Sequence, residues 1–172
     1  MCLVIINISF SVSFVILDIV VISRKKLYKI KLYAAHERFF FQLTGFDRGR
    51  ILLEAARLIR ENVEDLARNE VLDNGKPIWE ARMDLDTVIG SLEFYGGVAP
   101  SIFGQHAKLP NGSFAIVSKD PLGVVGGVGA WNYPLQTATW KIAPALACGN
   151  TFIYKPSPLT PLNVVLLAEV MK

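Results

Sequence analysis

The sequence predicts an α/β fold: an N-terminal helical hairpin, a β-hairpin arm, and the first βαβ unit of a parallel sheet that is incomplete within this length. Three observations predict it. Apolar residues recur at spacings of three and four between residues 52 and 66; the period falls to two between 105 and 118; beyond 122, short uncharged apolar runs alternate with helical segments. All three lie in residues 44–172, which are read as one partial domain, with residues 1–43 as a separate apolar and basic leader.

In chain order, Asp47 can cap a helix whose apolar positions Leu52, Ala55, Ala56, Ile59, Val63 and Leu66 share one face. Arg57, Arg60, Glu61, Glu64 and Arg68 fall on the other face and read as solvated surface. The run Asp73-Asn74-Gly75-Lys76-Pro77 breaks the pattern, and Pro77 suits the start of a second helix to about Gly96, so two antiparallel helices are expected. Gln105 to Lys119 then alternates about Pro110-Asn111-Gly112 as a β-hairpin, an element that is marginal alone in water and wants a partner. His106 on it reads as a surface side chain. Leu122 to Gly129 is expected to be a strand buried on both faces, Pro134 to Leu146 a helix stopped by Gly149-Asn150, Thr151 to Tyr154 a strand, and Thr160 to Lys172 a helix. The free edge of such a sheet predicts poor solubility.

Charge and composition exclude several functions. The chain has 172 residues, 52% of them hydrophobic, a net charge of +3 and a mean hydropathy of +0.37. Residues 1–43 carry six Lys/Arg against two Asp/Glu, and residues 44–172 carry twelve against thirteen. The excess positive charge therefore belongs to the leader, and no basic stripe remains to track phosphates, so no nucleic-acid partner is expected. Two cysteines, Cys2 and Cys148, make neither a disulfide framework nor a metal site; no metal is expected. Cys148, at a helix end in Ala-Leu-Ala-Cys-Gly-Asn, reads as a small buried hydrophobe.

The leader has two main readings. Seventeen of its first twenty-two residues are apolar, with Arg24, Lys25, Lys26, Lys29 and Lys31 following, the pattern of a signal-anchor helix with its C-terminal side in the cytoplasm. Asp18, Asn7, three serines and the Val/Ile bias oppose a span, and the order of charge and apolar run opposes a cleaved signal. Alternatively, Phe39-Phe40-Phe41-Gln42 is what pyrimidine-rich codons ending in CAG encode, the form of a splice acceptor, and residues 1–42 are then translated intron. The abrupt change of composition at Leu43 favours this second reading.

The glycine run Gly126-Gly127-Val128-Gly129 invites a dinucleotide-binding assignment, but Asn132 stands where the fingerprint's third glycine belongs. A crowded strand end that only glycine fits accounts for the run equally well. The combination of motifs is more specific. Pro121-Leu122-Gly123-Val124, Ala130-Trp131-Asn132-Tyr133-Pro134-Leu135, Lys141 through Thr151, Lys155-Pro156-Ser157 and Thr160-Pro161, with Asn74-Gly75-Lys76-Pro77 upstream, strongly resemble the NAD(P)-dependent aldehyde dehydrogenase superfamily, and within it the aminoaldehyde and betaine aldehyde branch.

The resemblance implies a parent reaction in which a cysteine thiolate attacks an aldehyde, hydride passes to NAD (with NADP left open), and a glutamate activates water to release the acid. Both residues lie beyond Lys172 by this resemblance, so the chain alone is expected to be inactive. It implies that Asn132 is the oxyanion-hole donor, where a helix cap is the plainer reading. It implies cofactor contacts from Val128, Gly129, Ala130 and Trp131, largely through backbone, and from Lys155 and Ser157, each of which has a wholly structural alternative. Pro158 stands where many members carry the glutamate that favours NAD. Tyr133 and Trp140, seven apart and so on one helical face, would be core by default; by resemblance they box a cationic substrate tail, with Asp84 as its carboxylate. Asp86 reads as surface, and Thr87 departs from a further Asp of some members, which weakens the choice between trimethylammonium and primary-amine substrates.

The implied partners are a small-molecule aldehyde and further copies of the chain, the hairpin resembling the family's oligomerisation arm, in a cytoplasmic parent enzyme. The competing class is a membrane-anchored truncated isoform, contacting the membrane through residues 1–22 and regulating full-length subunits by docking through that arm. A soluble cofactor-binding module is a third reading, opposed by the missing half of a nucleotide site.

Overall fold

The computed structural model describes residues 3–11, 14–22 and 43–170. Leu3–Ser11 and Phe14–Ile22 are strands β1 and β2, paired antiparallel with Leu3 opposite Ile22 and Ser11 opposite Phe14. The run expected as a signal-anchor helix is therefore a β-ribbon, as its Val and Ile content suits. No helix among the described residues is long and apolar enough to cross a membrane. The basic cluster at 24–31 and the junction residues 39–42 lie outside the described residues.

Three helices, not two, follow: α1 (Gly45–Glu61), α2 (Val63–Asn74) and α3 (Ile78–Val98). Thr44, not Asp47, is the N-cap of α1. Its hydroxyl accepts from the Asp47 amide while the Asp47 carboxylate accepts from the Thr44 amide, a reciprocal capping box. The expected single helix breaks at Asn62, whose side-chain amide donates to the Leu58 carbonyl at 2.8 Å, competing with the helical ladder there. Gly75, at φ +82, ends α2 in the left-handed conformation.

The arm is a two-stranded ribbon, β3 (Gln105–Lys108) and β4 (Phe114–Val117), with every strand residue exposed. Then come β5 (Val124–Val128), α4 (Pro134–Ala147), β6 (Thr151–Lys155) and α5 (Leu162–Val170). β5 and β6 pair in parallel around α4, as expected of a βαβ unit. Sheet order is β2-β1-β6-β5, so β1 pairs with β6, with Val4–Ile6 opposite Tyr154–Phe152, and β5 is an edge strand. Val124 and Val125 are only half-buried and Val128 is exposed, so β5 is not the strand buried on both faces that its apolar run predicts.

The core lies where α1, α3 and α4 meet the sheet. Leu52, Ile59, Leu85, Leu92, Leu135, Ile142, Phe152 and Tyr154 are its largest fully buried side chains. Asn150 closes the turn from α4 into β6: its side chain donates to the Ala145 carbonyl and accepts from the Gly123 amide. Cys148, expected to be buried, is exposed, because it is the C-cap of α4 and its side chain leaves the apolar face one residue past Ala147.

Candidate active site

Of the residues singled out from sequence, Val128, Gly129, Ala130, Trp131, Asn132, Tyr133, Lys155 and Ser157 lie at or just beyond the C-terminal ends of β5 and β6, the side on which open α/β sheets bind ligands, whereas Asp84 lies on α3 and Trp140 within α4. Val128 lies opposite Lys155 in the parallel register, and the Gly129 amide donates to the Lys155 carbonyl at 2.9 Å. Crowding explains two glycines of the run: a Cβ on Gly127 would overlap Phe152 Cζ and one on Gly129 would overlap Tyr154 Oη, whereas one on Gly126 would meet nothing within 4 Å. Val128 and Trp131 are 67% and 61% exposed, leaving the strand end and the loop backbone open. Lys155 Nζ donates to the Pro156 carbonyl at 3.2 Å, and the buried Ser157 hydroxyl accepts from the Leu159 amide.

Asn132 is exposed, and its side chain neither caps α4 nor bonds to any described residue. The N-cap of α4 is Tyr133, with Pro134 at the first helical position. Tyr133 has φ −136 and ψ 67, outside helical geometry, so its seven-residue spacing from Trp140 does not place the two rings by helical period. Neither ring is core: Tyr133 is half-buried, and Trp140 is 51% exposed on α4.

Asp84, expected to serve the cation of a substrate, pairs in this structure with a cation of the chain itself. It is buried and accepts from the buried Lys76 ammonium, which also lies 3.5 Å from Glu70 Oε1 and 4.2 Å from the centre of the Tyr133 ring. Burial pushes the Glu70 carboxyl up from the ordinary carboxylate range; the hydrogen bond from Asn163 and the charge of Lys76 oppose this, and Asp84 adds to it. The Tyr133 phenol donates to Glu80 Oε1 at 3.1 Å, and that carboxylate holds the phenol's pKa above its usual value.

The sequence reading missed Asn74, Lys76, Glu70 and Glu80 as neighbours of this site. Asn74 Nδ2 donates to the carbonyls of Trp131 at 2.6 Å and Asn132 at 3.0 Å. Asn74-Gly75 was legible only as a turn. The one signal for more was a lysine held between a glycine cap and a proline, where a chain reversal packs against whatever follows. Among the described residues, no group of three or more His, Cys, Asp or Glu could hold a metal.

The sequence model of the aldehyde dehydrogenase family matches residues 24–172. This chain belongs to that family. It is 53% identical over 141 residues to 4-trimethylaminobutyraldehyde dehydrogenase A of Danio rerio, covering 81% of this chain and 28% of the relative. To the Sus scrofa 4-trimethylaminobutyraldehyde dehydrogenase it is 56% identical over 133 residues, 77% of this chain and 27% of the relative. A double mutant of betaine aldehyde dehydrogenase from Staphylococcus aureus, solved in complex with NAD⁺, superposes with a TM-score of 0.79 at 37% identity, covering 81% of this chain and 28% of that one. The chain thus spans a little over a quarter of the length of these family members, and its helices and parallel strands match the N-terminal part of the family's cofactor-binding domain.

Proposed function

We propose that this chain supplies the first cofactor strands and the oxyanion donor of an NAD(P)-dependent dehydrogenase that oxidises an aldehyde with a cationic tail, of the aminoaldehyde or betaine type. One observation carries the reading: Asn132 is exposed at the mouth of β5 with its side-chain amide uncommitted, and it does not cap the helix that follows. A neutral amide donor in that place stabilises the oxygen that becomes negative when a thiolate adds to a carbonyl. The names of the relatives support the substrate class. So does the partial exposure of Tyr133 and Trp140, whose ring faces attract cations by about 0.5–2 kcal/mol each.

The residues present fit a dinucleotide. The backbone of Val128, Gly129, Ala130 and Trp131 lines the strand end, with Lys155 beside it in register. Ser157 fits less directly, since its hydroxyl already accepts from the Leu159 amide. The cofactor when bound supplies the hydride acceptor; these residues bind and orient it. Further copies of the chain, associated through the β3–β4 ribbon, belong to the same proposal.

The test begins with long-read sequencing of the native transcript from upstream of Leu43 to downstream of Lys172, followed by expression of the protein it encodes. The expected product carries a cysteine nucleophile and a glutamate base downstream and reduces NAD⁺ in the presence of an aminoaldehyde. Asn132→Ala in that product lowers turnover by about 10²–10³. A product that oxidises no aldehyde, or an Asn132→Ala variant with unchanged turnover, overturns the reading.

A further inference from the structure

Three consecutive residues of the loop after β5 are held from one direction. Asn74 donates to the carbonyls of Trp131 and Asn132, and the Tyr133 ring lies over the Lys76 ammonium. The carbonyl of Trp131 belongs to the peptide plane before the Asn132 Cα, and the carbonyl of Asn132 to the plane after it. Because peptide units are rigid, holding both carbonyls restrains both backbone dihedrals of Asn132 and so the direction of its Cα–Cβ bond. A single amide nitrogen on another helix therefore sets where the Asn132 side chain starts from.

The turn that carries Asn74 is itself anchored. Gly75 turns the chain in the left-handed conformation, and Lys76 enters the interior, 7% exposed, to meet Asp84 and Glu70. Glu70 accepts from Asn163 Nδ2, which also donates to the Leu66 carbonyl, tying α2 to α5. Burying an ammonium and two carboxylates is a poor route to stability, and groups of this kind are retained where they fix a geometry.

We propose that Asn74 is a positioning residue for Asn132, with the Lys76–Asp84–Glu70 cluster as the anchor of the turn that presents it. In its reaction role this rests on the reading of Asn132 as oxyanion donor. The Asp84 carboxylate then serves the loop through Lys76.

The experiment uses the full chain and reads backbone 15N order parameters by NMR for residues 130–133, with α4 and β6 as internal controls. Asn74→Ala is expected to lower them from about 0.85 to about 0.6 or below while the controls stay unchanged. Asn74→Asp should behave like Ala near neutral pH, because a carboxylate facing two carbonyls repels them. Order should return in part as pH falls through about 4–6, when the carboxyl acquires one proton and donates to one of the two carbonyls. Unchanged order parameters in Asn74→Ala, an equal fall in α4 and β6, or no recovery in Asn74→Asp overturns the proposal.

A second arm uses the active protein encoded by the native transcript. There Asn74→Ala lowers kcat about tenfold to a hundredfold with little change in the KM for the cofactor, and has no further effect in an Asn132→Ala background. Independent effects in the double variant overturn the reaction role. The relaxation arm needs no turnover. Failure of the oxyanion reading, with Asn132→Ala fully active, is thus distinguishable from failure of Asn74 to hold the loop.

Discussion

The turn between α2 and α3 and the ribbon β3–β4 are both short chain reversals, and they invert the usual placement of residue types. In the turn a lysine is buried against two carboxylates. In the ribbon Phe114, Ile116 and Val117 are 62%, 69% and 53% exposed. The difference lies in what covers each. The turn is packed between α2, α3 and the loop after β5, so its polar groups have fixed partners and in turn fix that loop. The ribbon has two faces and, among the described residues, no layer over either, so its apolar residues are left without a described surface to bury against. One region completes its site internally, whereas the other offers an apolar surface outward.

The change with the largest expected effect tests the first half of this comparison. Lys76→Met keeps the volume of the side chain but leaves Asp84 and Glu70 buried without their cation, and unfolding stability should fall by about 3–5 kcal/mol in urea titration. Adding Asp84→Asn and Glu70→Gln should recover most of that loss. A single variant costing under about 1 kcal/mol would show that the cluster is not the anchor. Gly129→Ala should cost less, about 1–3 kcal/mol, because the new methyl meets Tyr154 Oη at 2.3 Å and Tyr154 is fully buried and cannot swing aside. Tyr154→Phe removes the nearest atom, so Gly129→Ala should cost less in that background than in the wild type. Equal costs in the two backgrounds would sink the crowding explanation of Gly129.

These contacts also mark how far the sequence could be read. The period of three and four along α1 and α3, the alternation in the ribbon and the proline at the start of α4 are local signals, and the elements formed where those signals lay. The break at Asn62 was legible in principle, since asparagine competes for helix carbonyls, but the apolar stripe runs unbroken through it. The burial of Lys76 and the reach of Asn74 across 57 and 58 residues are tertiary facts with no periodicity to betray them. Asp84 shows the limit most clearly. Its place on α3 was readable, but the identity of its cation was not, because that depends on how the turn before α3 folds back. Residues 3–11 and 14–22 carry an apolar run whose length suits a membrane helix, but their Val and Ile bias, which opposes a span, agrees with the β-ribbon they form.

Glu70 gives a smaller and pH-dependent effect. Its folded pKa is raised, chiefly by burial, so the folded state holds its proton at a pH where the unfolded chain, near pKa 4.3, has released it. The Glu70 contribution to stability is therefore fully present below that unfolded value and is lost as pH rises through the folded one. Asn163 and Lys76 oppose the shift, which keeps the slope shallow. Urea midpoints taken from about pH 4 to 8 should fall across the window in wild type, and Glu70→Gln should remove that part of the slope. A Glu70-dependent rise over the same range would mean that attraction to Lys76 outweighs burial, and the anchor would be stronger than the comparison assumes.

The ribbon should show the smallest effect on folding of all. Phe114 lies opposite Lys108 and forms a ring contact with His106, centroids 5.7 Å apart, so its support comes from within the ribbon. Phe114→Ser combined with Ile116→Ser should change unfolding stability by no more than about 0.5 kcal/mol at concentrations where the chain is monomeric. The same pair should abolish self-association in sedimentation velocity, because an exposed apolar ribbon has only another molecule to bury it. A cost above about 1 kcal/mol in the monomer would mean that the body of the domain supports the ribbon after all. Unchanged sedimentation with unchanged stability would leave the turn as the region whose contacts matter to the fold, and would remove the ribbon as the face through which copies of the chain meet.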